Sequence, residues 1–268
     1  AVEQPGPEAG LSRRDLLKVA GGAVLATSAT EGVAQGGATL TAVTYRSGTA
    51  TIGAALARPE TSEKAPGVIV IHENQGLVDY TRAVASDLAR AGYVALAPNL
   101  ISRKLGPDAP GGTDQARAAL RELTTEEAIA DLGAGIDYLK HQPVVRADRI
   151  GSVGFCYGGR LSLLLACHRE DLRAAVIFYG RPADGLPLIP RIKAAVMGQF
   201  GEADGAIPVE TVRQLEAALR EQGKVHDIKI FPGAGHAFHR PRGPNYHPEA
   251  AREAWERTLN WLARHLKS

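Results

Sequence analysis

Short apolar runs alternate with longer segments of helical periodicity along most of the chain, and this alternation limits the fold more than any other feature. The run 67–72, Gly-Val-Ile-Val-Ile-His, is typical of a strand that is buried on both faces. Strands separated by helices form a mainly parallel, twisted sheet with helices on both faces, so the sequence predicts an α/β fold. Further strands are predicted at 93–98, 149–155, 173–180, 193–201 and 226–233, and helices at 79–93, 124–142, 157–168, 208–223 and 247–268.

Two segments depart from this alternation. Residues 38–47 and 50–59 alternate between apolar and polar positions, which predicts an antiparallel hairpin at the edge of the sheet. Residues 99–123 contain several glycines and prolines, and we predict a long irregular loop there that reaches over a site. The chain has 268 residues and 44% apolar content, enough to bury one sizeable core, so we assign residues 36–268 to a single domain; two small domains are the alternative.

The composition excludes several classes of partner. Lys and Arg number 31 and Asp and Glu 29, which gives a formal charge of only +2, and aromatic residues make up 5% of the chain. This balance gives no general attraction to nucleic acid, and sparse aromatics give no stacking platform for single strands. The two cysteines exclude a disulfide framework, and no Cys/His cluster has the spacing of a zinc site. We therefore expect no nucleic-acid partner, no metal and no organic cofactor.

The first residues resemble a bacterial export signal. Residues 12–18 read Ser-Arg-Arg-Asp-Leu-Leu-Lys, and a run of small and apolar residues follows at 19–29. Paired arginines before a short apolar run are typical of twin-arginine signals, and this run is shorter than the roughly 20 residues that span a bilayer. We expect residues 1–35 to be signal and linker, cleaved after Ala34, so that the twin-arginine machinery delivers a periplasmic or secreted protein without a stable membrane span. The alternative is an ordinary amphipathic helix that begins at Ser12.

A cysteine stands where the predicted strand 149–155 turns into the next predicted helix. It lies in Gly-Phe-Cys-Tyr-Gly-Gly at 154–159. Small residues two positions before and after a nucleophile permit a tight strand–turn–helix elbow that exposes its side chain above the sheet. The start of the new helix favours a thiolate or an oxyanion. We interpret Cys156 as a nucleophile, the alternative being a buried structural thiol, which is our interpretation of Cys167.

An acid and a base follow two later strands. Asp204 lies in the loop after 193–201, and His236 lies in a glycine-rich turn after the last strand. A cysteine nucleophile is activated by a histidine base, and an acid fixes the tautomer of that histidine. The order nucleophile, acid, base is that of the α/β-hydrolase arrangement. We therefore predict a triad of Cys156, His236 and Asp204, with Asp184 and Glu202 as rival acids.

The loop after the strand 67–72 completes the predicted site. The arrangement needs two backbone N–H donors for a developing oxyanion, and we assign these to Asn74 and Tyr157. Glu73 is then expected near the thiol, as a partner that holds it in the resting state; the alternative is a surface loop residue. His72 is interpreted as a packing residue under the loop.

Four segments together resemble the dienelactone hydrolase (carboxymethylenebutenolidase) family over roughly residues 40–265. Cysteine in place of serine in the elbow is the most specific feature of this resemblance. The segments are Ile-His-Glu-Asn-Gln-Gly-Leu at 71–77, Gly-Phe-Cys-Tyr-Gly-Gly at 154–159, Gly-Glu-Ala-Asp at 201–204 and Gly-His-Ala-Phe-His-Arg at 235–240.

The resemblance implies an α/β-hydrolase fold and a role for each matched residue. Cys156 is implied as the nucleophile, Asp204 as the acid and His236 as the base. Glu73 is implied as a carboxylate that contacts the thiol before substrate arrives. Two arginines are implied to hold a substrate carboxylate. Arg240 matches one of them, and we assign Arg117 to the other, with Arg103 and Arg121 as alternatives.

The predicted function is hydrolysis of a small-molecule lactone or ester through a thioacyl intermediate on Cys156. A broader carboxylesterase or thioesterase with the same triad is an alternative within the enzymes. Outside them, a non-catalytic exported ligand-binding protein and a thiol redox sensor remain as alternatives. The lack of a resolving cysteine near Cys156 argues against the sensor.

Overall fold

The computed structural model describes residues 33–35 and 37–268. Within these residues a nine-stranded sheet has the order β1-β2-β3-β5-β4-β6-β7-β8-β9. The strands are β1 Val33–Gln35, β2 Ala38–Ser47, β3 Ala50–Pro59, β4 Ala65–Ile71, β5 Val94–Pro98, β6 Val145–Phe155, β7 Ala174–Phe178, β8 Ala195–Gly201 and β9 His226–Phe231.

Helices connect the strands from β4 onward. The π-helical turn Ala263–Lys267 extends the last helix, and the 3-10 helix Ala183–Arg191 follows β7. Across the described ranges, no helix is both long enough and apolar enough to cross a membrane. The α-helices are α1 Asp79–Arg90, α2 Ser102–Leu105, α3 Asp114–Glu122, α4 Thr125–Lys140, α5 Tyr157–His168, α6 Val209–Glu221 and α7 Pro248–Leu262.

The predicted, mainly parallel sheet is confirmed. Strand β4 pairs in parallel with β5 and β6, and β7, β8 and β9 continue the parallel pairing from β6. Strand β3 joins this part of the sheet antiparallel to β5. The carboxyl ends of β6, β8 and β9 therefore meet at one edge of the sheet, where ligands of such folds bind.

Two neighbouring residues of β6 show that helical segments cover both faces of the sheet. The Oγ atom of Ser152 lies 2.8 Å from that of Ser162 on α5. A Cβ atom on Gly151 would lie 2.9 Å from Cδ1 of Leu266 in the C-terminal turn. Because successive side chains of a strand point to opposite faces, α5 and the C-terminal segment lie on opposite sides. Strands β4 and β7 are accordingly buried along their whole length, which explains their continuous apolar runs.

The predicted irregular loop at 99–123 is wrong in part, because the segment contains α2 and α3. Helix α3 begins after Thr113, whose Oγ1 accepts a hydrogen bond from the N–H of Ala116 at 3.0 Å. Thr113 therefore caps the helix. The glycines and prolines that indicated a loop all lie before it, at 106–112.

The predicted hairpin is present, but it does not form the edge of the sheet. Strands β2 and β3 pair with Ser47 opposite Ala50, and β1 lies outside β2 with Ala34 opposite Thr39. Residues 33–35, which we assigned to the signal and linker, therefore belong to the sheet, and the predicted cleavage point falls within β1. The rest of the predicted export signal, at 1–32, lies outside the described residues.

Candidate active site

Strand β6 ends in a strained turn that carries Cys156. This half-buried residue has a φ of 53° and a ψ of −112°, a conformation that residues with a side chain rarely adopt. A Cβ atom on Gly154 would lie 1.9 Å from the carbonyl oxygen of Gly158, and one on Gly158 would lie 2.2 Å from that of Ile71. The turn therefore requires glycine at both positions, and it carries Cys156 from the end of the sheet to the start of α5.

The side chains of Cys156, His236 and Asp204 form a hydrogen-bonded chain. Nε2 of His236 lies 3.1 Å from Sγ of Cys156, and Nδ1 of His236 lies 2.7 Å from Oδ2 of Asp204. The three residues follow β6, β9 and β8, so the parallel strands bring together positions that are far apart in the sequence. The structure thus places the three predicted triad residues in one cluster.

Backbone amides fix the position of Asp204. Its Oδ1 atom accepts hydrogen bonds from the N–H groups of Ala206 at 2.8 Å and Ile207 at 3.2 Å. The side chain is fully buried, which leaves Oδ2 directed at His236. A carboxylate held in this way selects one orientation of the imidazole ring.

The rival acids have other partners. Asp184 accepts a hydrogen bond from Nε of Arg160, and Glu202 accepts one from the N–H of Gly233 at 3.1 Å. Among the described residues, Asp204 is the carboxylate that contacts His236. The geometry therefore favours Asp204 over both rivals.

The environment of His236 favours its charged form. Hydrogen bonds to Asp204 and then to Cys156 raise the pKa of the imidazole from 6.5 to about 10, although burial alone acts in the opposite direction. With both ring nitrogens protonated, the imidazolium donates to the Asp204 carboxylate and to the Cys156 sulfur.

The raised pKa of His236 predicts a pH-dependent contribution to stability. Because the pKa rises on folding, the contribution is complete below about pH 6.5 and is lost as the pH rises through about 10. We expect the difference in the free energy of unfolding between the wild type and His236→Gln to be larger at about pH 6 than at about pH 10. Urea denaturation at a series of pH values measures this difference, and one that grows with pH would contradict the assignment.

Glu73 lies beside the cluster, but it pairs with Arg240 rather than with the thiol. Nη1 of Arg240 lies 3.2 Å from Oε2 of Glu73, and within the described chain no hydrogen bond joins Glu73 to Cys156. Glu73 is buried, and burial raises the pKa of its carboxyl against the opposing effects of Arg240 and His236. In place of the predicted partnership with the thiol, the structure thus gives the Glu73 carboxylate a hydrogen bond to Arg240. A substrate carboxylate, which we expected Arg240 to bind, would therefore compete with the Glu73 carboxylate for that guanidinium.

Two tyrosines near Glu73, buried Tyr179 and half-buried Tyr80, were missed by the sequence reasoning. Tyr179 follows β7 with a φ of 37°, and its ring centroid lies 5.3 Å from that of His236 in an edge-on arrangement. A hydrogen bond of 2.8 Å joins the hydroxyl of Tyr80 to Nδ1 of His239, and burial lowers the pKa of His239 to about 4, which keeps the ring neutral. Tyr179 directly follows a strand, as the triad residues do, and this position could have indicated that it belongs to the site.

His72 holds the loop that carries Glu73 and Asn74. Its Nε2 accepts a hydrogen bond from the N–H of Leu100 at 3.1 Å, so its Nδ1 bears the proton and donates to the carbonyl of Glu73 at 2.6 Å. Complete burial lowers the pKa of the ring to about 4 and keeps it neutral. These contacts agree with the packing role expected for His72.

A cavity of about 320 Å³ borders Cys156 and His236, and Asn74, Tyr157 and Tyr179 also line it. The two residues expected to form the oxyanion site therefore lie at the same cavity as the sulfur. Small-molecule sites usually have volumes of about 300–1,000 Å³, so this volume suits a small substrate.

The arginines at the cavity differ from those predicted. Arg117 is half-buried and Arg121 exposed on α3, and Arg103 is bonded to a buried carboxylate elsewhere; none of the three lines the cavity. Arg117, which we assigned to the substrate carboxylate, instead lies on α3, the helix found where a loop was predicted, and its Nη1 donates to the carbonyl of Gly112 at 3.2 Å. Arg160 and Arg181 line the cavity instead. In the sequence, a place at the cavity was indicated only by the position of Arg160 after the elbow and of Arg181 after the end of β7.

Arg103 has a structural role that can be measured. Its Nε and Nη2 atoms donate to the two carboxylate oxygens of Asp131 at 3.0 and 2.6 Å, and the Asp131 side chain is completely buried. Removal of one partner leaves a buried charge uncompensated, so we expect Arg103→Ala to lower the free energy of unfolding by about 3 kcal/mol. Urea denaturation tests this, and full stability combined with altered substrate preference would instead support a role at the cavity.

The fold and the cluster at its strand ends define the class of protein. A mainly parallel sheet with an elbow after β6, and an acid and a histidine after β8 and β9, is the arrangement of an α/β hydrolase.

Comparison with known proteins identifies the family. The model of the dienelactone hydrolase family matches residues 52–266, so the chain belongs to that family and is a hydrolase. A putative carboxymethylenebutenolidase of Methylorubrum extorquens is 33% identical over 74% of this chain and 71% of its own length. A probable 2-oxo-3-(5-oxofuran-2-ylidene)propanoate lactonase of Bradyrhizobium is 34% identical over 79% of this chain and 88% of its own. The structure of a putative dienelactone hydrolase of Klebsiella pneumoniae has a TM-score of 0.77 at 29% identity, over 85% of this chain and all of that one.

Proposed function

We propose that this hydrolase cleaves a small ester or lactone, with Cys156 as nucleophile, His236 as base and Asp204 as the acid that orients it. The observation that carries the proposal is the hydrogen-bonded chain from Sγ of Cys156 through His236 to Asp204, beside a cavity of about 320 Å³. The names of relatives in the same family, a lactonase and carboxymethylenebutenolidases, support this substrate class.

The first half-reaction forms a thioester. The Cys156 thiolate attacks the carbonyl carbon, and the negative charge that develops on the carbonyl oxygen is stabilised by the N–H groups of Asn74 and Tyr157. Tyr157 is the first residue of α5, where backbone N–H groups lack partners within the helix. One such donor typically lowers the barrier by about 3 kcal/mol. The carbon–oxygen bond of the ester or ring then breaks, and the leaving oxygen takes a proton from the His236 imidazolium.

The second half-reaction releases the acid. Neutral His236 accepts a proton from water, and the hydroxide attacks the thioester carbonyl carbon. The carbon–sulfur bond breaks, the thiolate is restored beside the imidazolium, and the carboxylic acid product leaves. For a lactone, the two halves of the substrate remain in one product molecule, which carries both the acid and the former ring oxygen.

The experiment for this proposal combines turnover with labelling of the thiol. We expect the wild type to hydrolyse an activated aryl ester and an unsaturated five-membered lactone, and iodoacetamide at neutral pH to inactivate it as Cys156 is alkylated. His236→Gln should slow this alkylation, because the imidazolium that favours the thiolate is gone. Buried Cys167 serves as the internal control. Labelling that ignores His236, without turnover of either substrate, would indicate a bare thiol and contradict the proposal.

We also propose that the protein is exported through the twin-arginine route to the periplasm or the medium. The support is the sequence alone, with Arg13 and Arg14 before a short apolar run. Cell fractionation of a strain that expresses the full chain tests this, with Arg13→Lys and Arg14→Lys combined as the comparison. Equal export of both forms would contradict it.

A further inference from the structure

Tyr179 is held beside His236 by a strained backbone that follows β7. Its φ of 37° lies in the left-handed region that residues with a side chain rarely adopt. Cys156 and Ala237, the residue after His236, share this feature with φ values of 53° and 62°. Strain of this kind persists where the surrounding structure enforces it, and it is concentrated at functional sites.

The backbone at Tyr179 is tied to the strands that carry the nucleophile and the acid. The carbonyl of Phe178 accepts a hydrogen bond from the N–H of Cys156 at 3.0 Å. The N–H of Tyr179 donates to the carbonyl of Gln199 in β8 at 2.9 Å. The ring of Tyr179 therefore has a fixed place relative to both the sulfur and the strand before Asp204.

The ring of Tyr179 packs against the imidazole of His236. The two ring centroids lie 5.3 Å apart with the planes at 64°, and Phe238 packs edge-on against Tyr179 at 5.5 Å. The Tyr179 side chain is completely buried, and its hydroxyl has no hydrogen-bond partner among the described residues. The contact with His236 is thus made by the ring, without help from the hydroxyl.

Two hydrogen bonds and this packing contact define the position of His236 before the reaction. Asp204 contacts Nδ1, and the sulfur of Cys156 contacts Nε2. Once the sulfur is acylated, it has neither the proton nor the negative charge that favours its bond to Nε2. The hydrogen bond to Asp204 then fixes one point of the imidazole, and the packing of Tyr179 restricts rotation of the ring about that point.

We propose that Tyr179 is a positioning residue for His236 and that it acts mainly in the second half-reaction, in which the thioester is hydrolysed. This inference rests on the proposed catalysis through Cys156. The ring keeps Nε2 directed at the attacking water, so that the water proton passes to Nε2 while the oxygen adds to the thioester carbonyl carbon. Loss of the ring should therefore slow release of the acid more than formation of the thioester.

The test follows both half-reactions of 4-nitrophenyl acetate in one experiment. Protein mixed in excess over the ester gains an acetyl group and then loses it, and the intact mass of acid-quenched samples gives both rates. In Tyr179→Leu we expect loss of the acetyl group to slow about tenfold or more, and its gain to slow less than about threefold. At steady state kcat should fall, and KM should not rise.

Two further variants separate the positioning role from a general effect on folding. Tyr179→Phe should keep both rates within about threefold of the wild type, because the ring stays and the hydroxyl has no partner to lose. Tyr93→Leu is the matched control, since Tyr93 is also buried, also lacks a partner for its hydroxyl among the described residues, and does not line the cavity. It should lower the thermal unfolding midpoint and leave both rates unchanged.

Equal losses in Tyr179→Phe and Tyr179→Leu would overturn the proposal, and so would a Tyr179→Leu variant in which loss of the acetyl group is slowed no more than its gain. Both results leave catalysis through Cys156 intact. If Tyr179→Leu does not fold, Tyr179→Met, which fills more of the volume of the ring, takes its place in the comparison. If the wild type forms no thioester on Cys156, the proposed function itself fails.

Discussion

Cys156→Ala is expected to lower kcat/KM for an activated aryl ester by at least about a thousandfold. Without the sulfur no thioester forms, and only the oxyanion donors and His236 remain to promote direct attack by water. The backbone of this variant should be unchanged, because alanine and cysteine have the same Cβ constraint at the φ of 53°. Steady-state hydrolysis measures the loss, and the thermal unfolding midpoint shows whether the variant is folded.

Cys167→Ala provides the matched control for Cys156→Ala. Cys167 lies on α5 and is buried, and burial raises the pKa of its thiol to about 12, so it is not reactive. We expect its removal to change kcat/KM by less than about threefold, although the small cavity left behind lowers stability by about 1 kcal/mol. Equal activity of Cys156→Ala and Cys167→Ala would contradict the assignment of the nucleophile.

Asp204→Asn is expected to lower kcat by about a thousandfold or more. The amide oxygen of asparagine takes over the hydrogen bonds from Ala206 and Ile207, so its NH₂ group faces Nδ1 of His236. Nδ1 must then accept, which places the ring proton on Nε2, toward the sulfur. In this tautomer His236 cannot take a proton from Cys156 or from water. The pH dependence of kcat should change together with its magnitude.

Glu202→Gln is the control for Asp204→Asn, since Glu202 lies two residues earlier and bonds to the N–H of Gly233 outside the triad. We expect activity within about threefold of the wild type, because its backbone contact is kept by the glutamine oxygen. If Glu202→Gln and Asp204→Asn lost activity to the same extent, the acid would be misassigned.

Much of the site follows from the sequence because its residues stand at strand ends. The strand before Asp204 is buried along its whole length, and so are the last six residues of the strand before Cys156. The strand before His236 is half-buried because it lies at the edge of the sheet, but it runs parallel to the others and ends at the same edge. Three distant residues could therefore be assigned to one place. The glycines at 154 and 158 leave no room for a Cβ atom, so the elbow too is encoded locally.

The parts that were missed depend on tertiary contacts. Thr113 caps α3, so the loop ends there. The glycines and prolines at 106–112 nevertheless led us to predict a loop for the whole segment 99–123. The pairing of Glu73 with Arg240 joins residues 167 positions apart and has no local signature. Arg181 reaches the cavity because the backbone of Gly180 packs against Gly159, a contact that no periodicity predicts. The packing of the backbone around the cavity thus determines which charged side chains line it.

The most direct measurement is the mass of the protein during turnover. Wild-type protein mixed with an excess of aryl ester, quenched in acid within milliseconds and analysed by intact mass and peptide mapping, is expected to carry one acyl group on the peptide that contains Cys156. In His236→Gln this adduct should be formed more slowly. Hydrolysis that proceeds with no acyl group on that peptide, or with the acyl group on another residue, would contradict catalysis through Cys156.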